Sequence, residues 1–324
     1  MQKTLAVVNL TNLKNNAKLV RSLIGERKFF AVVKADGYGH GAEEISRSIE
    51  SIVDGFCVAI VDEGAKLRVA GISKPILVFT PPLDKSDGER AKYYNLTLTA
   101  TNARNMENLC GSNFQLKINS GMNRHGCNLS ELTTLLKGLD ENKLCGVYSH
   151  LYCPENDGAS EKQLALFLQA VNEVKRVSSG IFAHISASGG ILRGGKYLLD
   201  GVRCGILLYG YTPFGFALKG LKPVLKVYAQ KTQSTEFIGG GVGYNRAQKN
   251  YGVVSTYRCG YADGFFRGTP LGEGNLCMDA FVKEGDNDLE CVLSNAEEYA
   301  TRCNTISYEV LTKVTQRAEI VYER

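Results

Sequence analysis

Phe29-Phe-Ala-Val-Val-Lys34-Ala-Asp-Gly-Tyr38-Gly-His-Gly41 is the stretch whose reading decides the fold. Five apolar residues without polar alternation lead into a lysine, and a glycine-rich turn follows. An unbroken apolar run with adjacent valines reads as a strand buried on both faces, as in a parallel sheet. Lys34 then stands where that strand ends. Partial desolvation there disfavours the ammonium and makes the amine a better nucleophile, the property needed to attack a carbonyl carbon. The competing reading is a lysine that snorkels from a strand end to water.

Working outward, similar short apolar runs recur at Phe56–Ile60, Ile76–Thr80, Leu96–Ala100, Leu116–Asn119, Val147–His150, Phe182–Ser186 and Val202–Leu208. With Phe29–Val33 they make eight. Helical patterns separate most of them: Asp62–Ala70, Ala103–Leu109, Leu129–Leu139 and Glu161–Val177. Before the first run, Thr11 is placed to cap a helix carrying Leu13, Ala17, Val20 and Ile24 on one face. Strand–helix alternation implies parallel strands with helical crossovers, and eight units in about 200 residues fit a (β/α)8 barrel better than an open sheet. Past a connector at Tyr211–Lys222, the pattern changes to β-rich runs such as Val224-Leu-Lys-Val-Tyr-Ala-Gln and Gly252-Val-Val-Ser-Thr-Tyr-Arg. The expected fold is α/β: a barrel domain over residues 1–215, then a mostly β domain over 216–324 whose one helical pattern is Asn295–Cys303.

Composition narrows the function. The 324 residues are 44% hydrophobic and 22% charged, a globular balance. The net charge of +5 is dispersed, which favours anionic small molecules over nucleic acid. No apolar run reaches the ~18 residues of a membrane helix. The first residues are too poor in apolar side chains for a signal peptide. Ten scattered cysteines contain no C-x-x-C pair, so the expectation is a reduced cytoplasmic protein without metal. The polar residues closing the predicted strands are Lys34, Asn119, His150, Ser186 and Arg203. In a barrel these ends gather at one mouth, where active sites form, and a lysine, a histidine and an arginine there suit an anionic ligand.

Val33-Lys34-Ala-Asp-Gly-Tyr38-Gly-His-Gly41 resembles the lysine motif of the alanine racemase family, whose members use pyridoxal 5′-phosphate (PLP). Other motifs follow in the family's order. Lys117-Ile-Asn-Ser-Gly-Met-Asn-Arg124-His-Gly is similar to its K-x-D-T-G-M-x-R-x-G, and Ser149-His150 to its strand-end histidine. His184-Ile-Ser-Ala-Ser188 and Val202-Arg203-Cys-Gly205-Ile206 resemble its phosphate and pyridine contacts. Gly241-Val-Gly-Tyr244-Asn, Gly260-Tyr261-Ala-Asp-Gly and Cys277-Met278-Asp279 follow in the second domain.

The resemblance implies roles residue by residue. Lys34 would carry PLP and act as one of two acid–base groups at the substrate Cα. Tyr244 would be the second, on the opposite face, supplied by the other subunit of a homodimer. His150 would bridge that tyrosine to Arg203, which would face the pyridine nitrogen. Always protonated, Arg203 would leave the ring a weaker electron sink than an aspartate partner would. Tyr38, Ser188, Gly205 and Ile206 would hold the phosphate. Arg124 would meet the PLP phenolic oxygen and the substrate carboxylate. Tyr261 and Met278 would line the substrate pocket, or serve as core residues. Lys117 aligns with a lysine often carbamylated in the family. His184 reads as a strand hydrogen-bonding partner rather than an acid or base.

Three departures bear on specificity. Asn119 stands at the family's aspartate, the segment Asp263–Cys277 is short, and Gln316 falls where a pocket tyrosine is expected, with Tyr308 or Tyr322 as substitutes for it. The implied activity is interconversion of L- and D-alanine. A serine or broad-specificity racemase is the alternative that Gln316 suggests. A fold-related PLP decarboxylase and a non-catalytic PLP-binding barrel are the remaining alternatives. The second of these needs no β domain and no Tyr244.

Overall fold

The structure, a computed structural model, describes residues 4–267 and 275–324. The chain divides into two compact units. One comprises Lys14–Gly37 and Ala42–Leu221. The other comprises the chain up to Leu13, Tyr38–Gly41 and the described part of Lys222–Arg324.

The first strand of the chain, β1 (Leu5–Asn9), belongs to the second of these units. The barrel strands are β2 (Lys28–Val32), β3 (Gly55–Val58), β4 (Ile76–Val78), β5 (Leu98–Ala100), β6 (Phe114–Lys117), β7 (Leu144–Tyr148), β8 (Phe182–His184) and β9 (Gly201–Cys204). They form two parallel four-stranded sheets, ordered β4-β3-β2-β9 and β5-β6-β7-β8. Bonds at both seams close them into a ring. Val78 N–H donates to Thr97 O and Thr97 N–H to Ile76 O, while Asp200 N–H donates to Ala183 O and Arg203 N–H to Ser186 O. All eight apolar runs therefore form the eight strands of a closed (β/α)8 barrel.

The first helix is Leu10–Ile24, and its cap differs from the expectation. Asn9 Oδ1 accepts from Asn12 N–H at 2.7 Å, so Thr11 lies inside the helix. The strand runs straight into the helix, and the carboxamide at the junction satisfies an orphan amide of the first turn. Leu13, Ala17, Val20 and Ile24 are fully buried, as their spacing requires.

After β2 the backbone turns with the opposite hand. Ala35, Asp36, Gly37 and Tyr38 have φ of 52°, 51°, 62° and 53°, a left-handed helical turn. Gly37 N–H returns to Val33 O, Ala35 N–H donates to Glu63 Oε1 at 2.7 Å, and Ala42 N–H donates to Asp36 Oδ1 at 2.9 Å. These bonds pin a conformation that L-residues disfavour.

The second unit is built on β10 (Leu225–Glu236), β11 (Gly241–Val242), β12 (Asn245–Arg246), β13 (Val253–Tyr257), β14 (Asn275–Leu276), β15 (Phe281–Glu284), β16 (Leu289–Leu293) and β17 (Glu319–Glu323). Its seven-stranded sheet runs β14-β15-β13-β10-β1-β17, with β16 also on β10. β1 is antiparallel to β10 and parallel to β17, with Leu5 opposite Glu319. β11 and β12 form a separate hairpin that presents Tyr244. Among the described residues after Lys222, two α-helices occur, Ala296–Arg302 and Ser307–Lys313; the sequence pattern shows only the first. Tyr38–Gly41 packs within this unit. The Tyr38 and Tyr308 rings are 6.0 Å apart, and a Cβ on Gly41 (φ 82°) would collide with the Tyr322 hydroxyl.

Candidate active site

Lys34 follows β2 after one residue, Val33, and is half-buried. Burial pushes its amine below the ordinary lysine value, and the neighbouring Arg124 guanidinium adds to this; Glu63 opposes both. Lys117 ends β6 and is buried. Burial first, then Arg124, Arg203 and Lys34, push it down to about 7. His150, one residue beyond Ser149 at the end of β7, is held well below the usual imidazole value by burial and by Arg203, Arg124, Lys117 and Lys34. Five basic groups from four strand ends and one loop thus feel one another, and Glu63 is the acid that acts on Lys34. Concentrated positive charge at strand ends in a low-dielectric wall is a site for an anion.

Arg203 lies inside β9 and is 2% exposed. Its Nη1 donates to His184 Nδ1 (2.5 Å) and His184 O (3.3 Å). Its Nη2 donates to Ser149 O (2.6 Å) and Ile185 O (3.1 Å), with His150 Nδ1 at 3.5 Å. The four terminal N–H groups are committed to the protein, which leaves Nε–H as the donor that none of these bonds uses. The Tyr148 ring lies beneath two cations, with Arg203 Cζ 5.0 Å and Lys117 Nζ 5.5 Å from its centroid. Ser188 Oγ accepts from Gly205 N–H at 3.2 Å, so the proposed phosphate-binding groups of β8 and β9 are neighbours, with Ile206 next in the chain. Arg124 sits on an exposed loop shaped by Asn119, whose amide donates to Asn123 and Asn128 and whose Oδ1 accepts from Gly121 and Asn123 N–H.

Lys34, Lys117, Arg124, His150, Ser188, Arg203, Gly205 and Ile206 all belong to the barrel unit. Ser186, also read as a mouth residue, is turned to other use: its hydroxyl donates to Tyr197 O at 2.6 Å. Tyr38, Tyr244, Tyr261, Met278 and Gln316 belong to the second unit. There Tyr261 N–H donates to Cys277 O and Ala262 N–H to Met278 O, so these two motifs are knitted together. Arg317 extends the link by pairing with Asp279 at 2.8 Å and Asp263 at 3.5 Å. Tyr244 is 80% exposed and Met278 53% exposed. Gln316 is exposed in the turn after the last helix, whereas Tyr308 is the residue whose ring meets Tyr38. Of the short segment Asp263–Cys277, residues 268–274 lie outside the described residues.

Sequence reasoning missed Glu63 and Gln115. Glu63 takes the amides of Ala35, Ala59 and Ile60. Gln115 Oε1 lies 2.6 Å from His184 Nε2. The signal for Gln115 was alternation: in Phe114-Gln-Leu-Lys117 the two polar residues share one face of a strand.

The profile of the alanine racemase N-terminal domain matches residues 8–213. An alanine racemase of Stutzerimonas stutzeri is 31% identical over an alignment covering 98% of this chain and 98% of that protein. The chain belongs to the alanine racemase family. An alanine racemase of Carboxydothermus hydrogenoformans is 32% identical, covering 99% and 100% of the two chains. The crystal structure of the biosynthetic alanine racemase from Pseudomonas aeruginosa superposes with a TM-score of 0.87 at 27% identity, covering both chains completely. As a member of the alanine racemase family, the protein is an isomerase with the family's two-part fold. No helix among the described residues is long and apolar enough to cross a membrane.

Proposed function

We propose that the protein is a PLP-dependent racemase that interconverts L- and D-alanine with two acid–base groups, Lys34 and Tyr244. The observation that carries this reading is the cationic cluster around Lys34 at the barrel strand ends. The residues present fit the cofactor. Ser188 Oγ and Gly205 N–H adjoin one another for a phosphate, and Ile206 N–H follows in the chain. Arg203 Nε–H is free of the bonds that fix its fork and suits the ring nitrogen. When bound, PLP supplies the electron sink for the pair left at Cα as its proton departs.

The chain's own groups do the rest. The Lys34 amine, held below its ordinary value by burial and by the Arg124 charge, takes or returns a proton on one face of Cα. The partner's Tyr244 serves the other face; its 80% exposure in a single chain suits a residue completed by a second subunit. His150 Nδ1 faces an Arg203 nitrogen, which has only protons to offer, so a neutral His150 carries its own proton on Nε2. That N–H can steady a phenolate. Arg124 and Arg203 make the site attractive to the substrate carboxylate. Tyr308, Tyr261 and Met278 are the proposed pocket wall, and Gln316 is peripheral to it.

The test is covalent trapping. Incubation with PLP, borohydride reduction and peptide mass mapping should mark Lys34, and racemisation should be followed with alanine, serine, lysine and arginine. A mark on another lysine, or no activity on any of the four, overturns the reading. Lys34→Ala and Tyr244→Phe chains, each nearly inactive, should regain partial activity when mixed and allowed to exchange. No recovery after demonstrated exchange places both groups in one chain.

A further inference from the structure

His184 sits in the barrel core with no exposure, its ring packed against Phe182 (4.6 Å between centroids), Tyr148 (5.1 Å) and Phe30 (6.2 Å). Its two nitrogens meet two different side chains. Nδ1 lies 2.5 Å from Arg203 Nη1, and Nε2 lies 2.6 Å from Gln115 Oε1. A guanidinium has donors and no acceptor, so Nδ1 must present its lone pair. A neutral imidazole with a bare Nδ1 carries its proton on Nε2. The partner at Nε2 must then accept, and the Gln115 carboxamide must turn its oxygen inward. The reverse amide orientation would set donor against donor, and an imidazolium would do the same at Arg203. The three side chains have one self-consistent assignment.

We propose that Gln115 is a positioning residue: by accepting from His184 Nε2 it locks that imidazole as the neutral Nε2–H tautomer, whose Nδ1 holds the Arg203 fork in place. This rests on the reading above, in which Arg203 faces the cofactor. The charged and titratable groups facing the ring are Arg203 from β9 and Tyr148 from β7, and the β6 side chain against it, Gln115, is uncharged. Burial and the Arg203 charge both disfavour a second proton, so the lock holds across neutral pH. Without an acceptor at position 115, the Nε2 proton loses its partner in a dry core, and the tautomer that pushes Arg203 away becomes accessible. Gln115→Met keeps the length and volume of the side chain and removes the acceptor. Gln115→Glu keeps the acceptor but adds a charge that recruits a second proton to His184, again opposite Arg203.

Selective 15N labelling of the chain's four histidines tests this. Spectra of the unliganded protein, with the His184 signals assigned by loss in His184→Asn, report the protonation of each ring nitrogen. The expected result is a bare Nδ1 and a protonated Nε2 in the parent protein, unchanged from pH 6 to 8.5. In Gln115→Met the signals should move towards mixed tautomers, and in Gln115→Glu towards imidazolium. In the PLP-loaded enzyme, Gln115→Met should lower kcat roughly tenfold, as for one buried hydrogen bond, with KM within about twofold. A protonated Nδ1 in the parent, parent-like signals in Gln115→Met, or an unchanged kcat overturns the proposal. The spectra need no cofactor, so they remain decisive even if Lys34 takes no PLP.

Discussion

Lys117 should be converted to a carbamate by dissolved carbon dioxide. Only a neutral amine can attack the carbon of CO2, losing a proton as the N–C bond forms. An unshifted lysine with a value of 10.5 is neutral in roughly one molecule in 3,000 at pH 7. Lys117, pushed down to about 7, is neutral in about half. The gain in reactive amine is about a thousandfold. The cations that help depress the ammonium, Arg124, Arg203 and Lys34, would also stabilise the anionic product, so both factors act in one direction. Carbon-13 NMR with labelled bicarbonate should show a carbamate signal that is missing from Lys117→Ala. At fixed dissolved CO2, the signal should fall at pH 6, where about a tenth of the amine is neutral, and rise towards pH 8. Arg124→Ala, lacking one of the three cations, should weaken it. No signal in the parent protein, or one that survives in Lys117→Ala, would refute the reasoning.

Further outcomes follow from other parts of the chain. Lys117→Met should raise stability more at pH 6 than at pH 9. The folded value lies below the unfolded one, so the folded state bears the full cost of the buried ammonium below about pH 7, and that cost fades as pH rises towards 10.5. Equal gains at both pH values in denaturant titrations would contradict this. Tyr308→Ala should change the serine-to-alanine ratio of kcat/KM several-fold, while Gln316→Tyr leaves it within about twofold; the reverse ranking would restore Gln316 to the pocket. Asn9→Ala removes the acceptor for Asn12 N–H and should cost about 1 kcal/mol, read as a lower urea midpoint at unchanged slope. A loss of only a few tenths would show that water caps the helix equally well.

The barrel was legible because each of its strands is buried on both faces and reads as an apolar run. Its polar strand ends stood out against that background for the same reason. Lys34, His150 and Arg203 could be found this way. Asn119 and Ser186 looked alike in the sequence but are spent on loop and backbone hydrogen bonds. What stayed hidden depends on partners distant in the chain. β1 is an ordinary strand by composition, and nothing in Leu5–Asn9 says that it pairs with Glu319–Glu323. The left-handed turn at Ala35–Tyr38 was masked by alanine and tyrosine, which carry no preference for positive φ. The helix Ser307–Lys313 escaped because it is only two turns long, with no side-chain cap to announce it.

That turn has a consequence for the building blocks themselves. Its torsions at Ala35, Asp36 and Tyr38 are the ones D-residues favour, and each L-residue held there costs about 1–2 kcal/mol. The strain is a property of the alphabet in which the chain is written, and not of the path the backbone follows. A chain assembled by chemical ligation with D-alanine at position 35 would trace the same path without that local cost. The segment that presents Lys34 is thus a short stretch of mirror-image conformation, in a protein whose family acts on the handedness of amino acids.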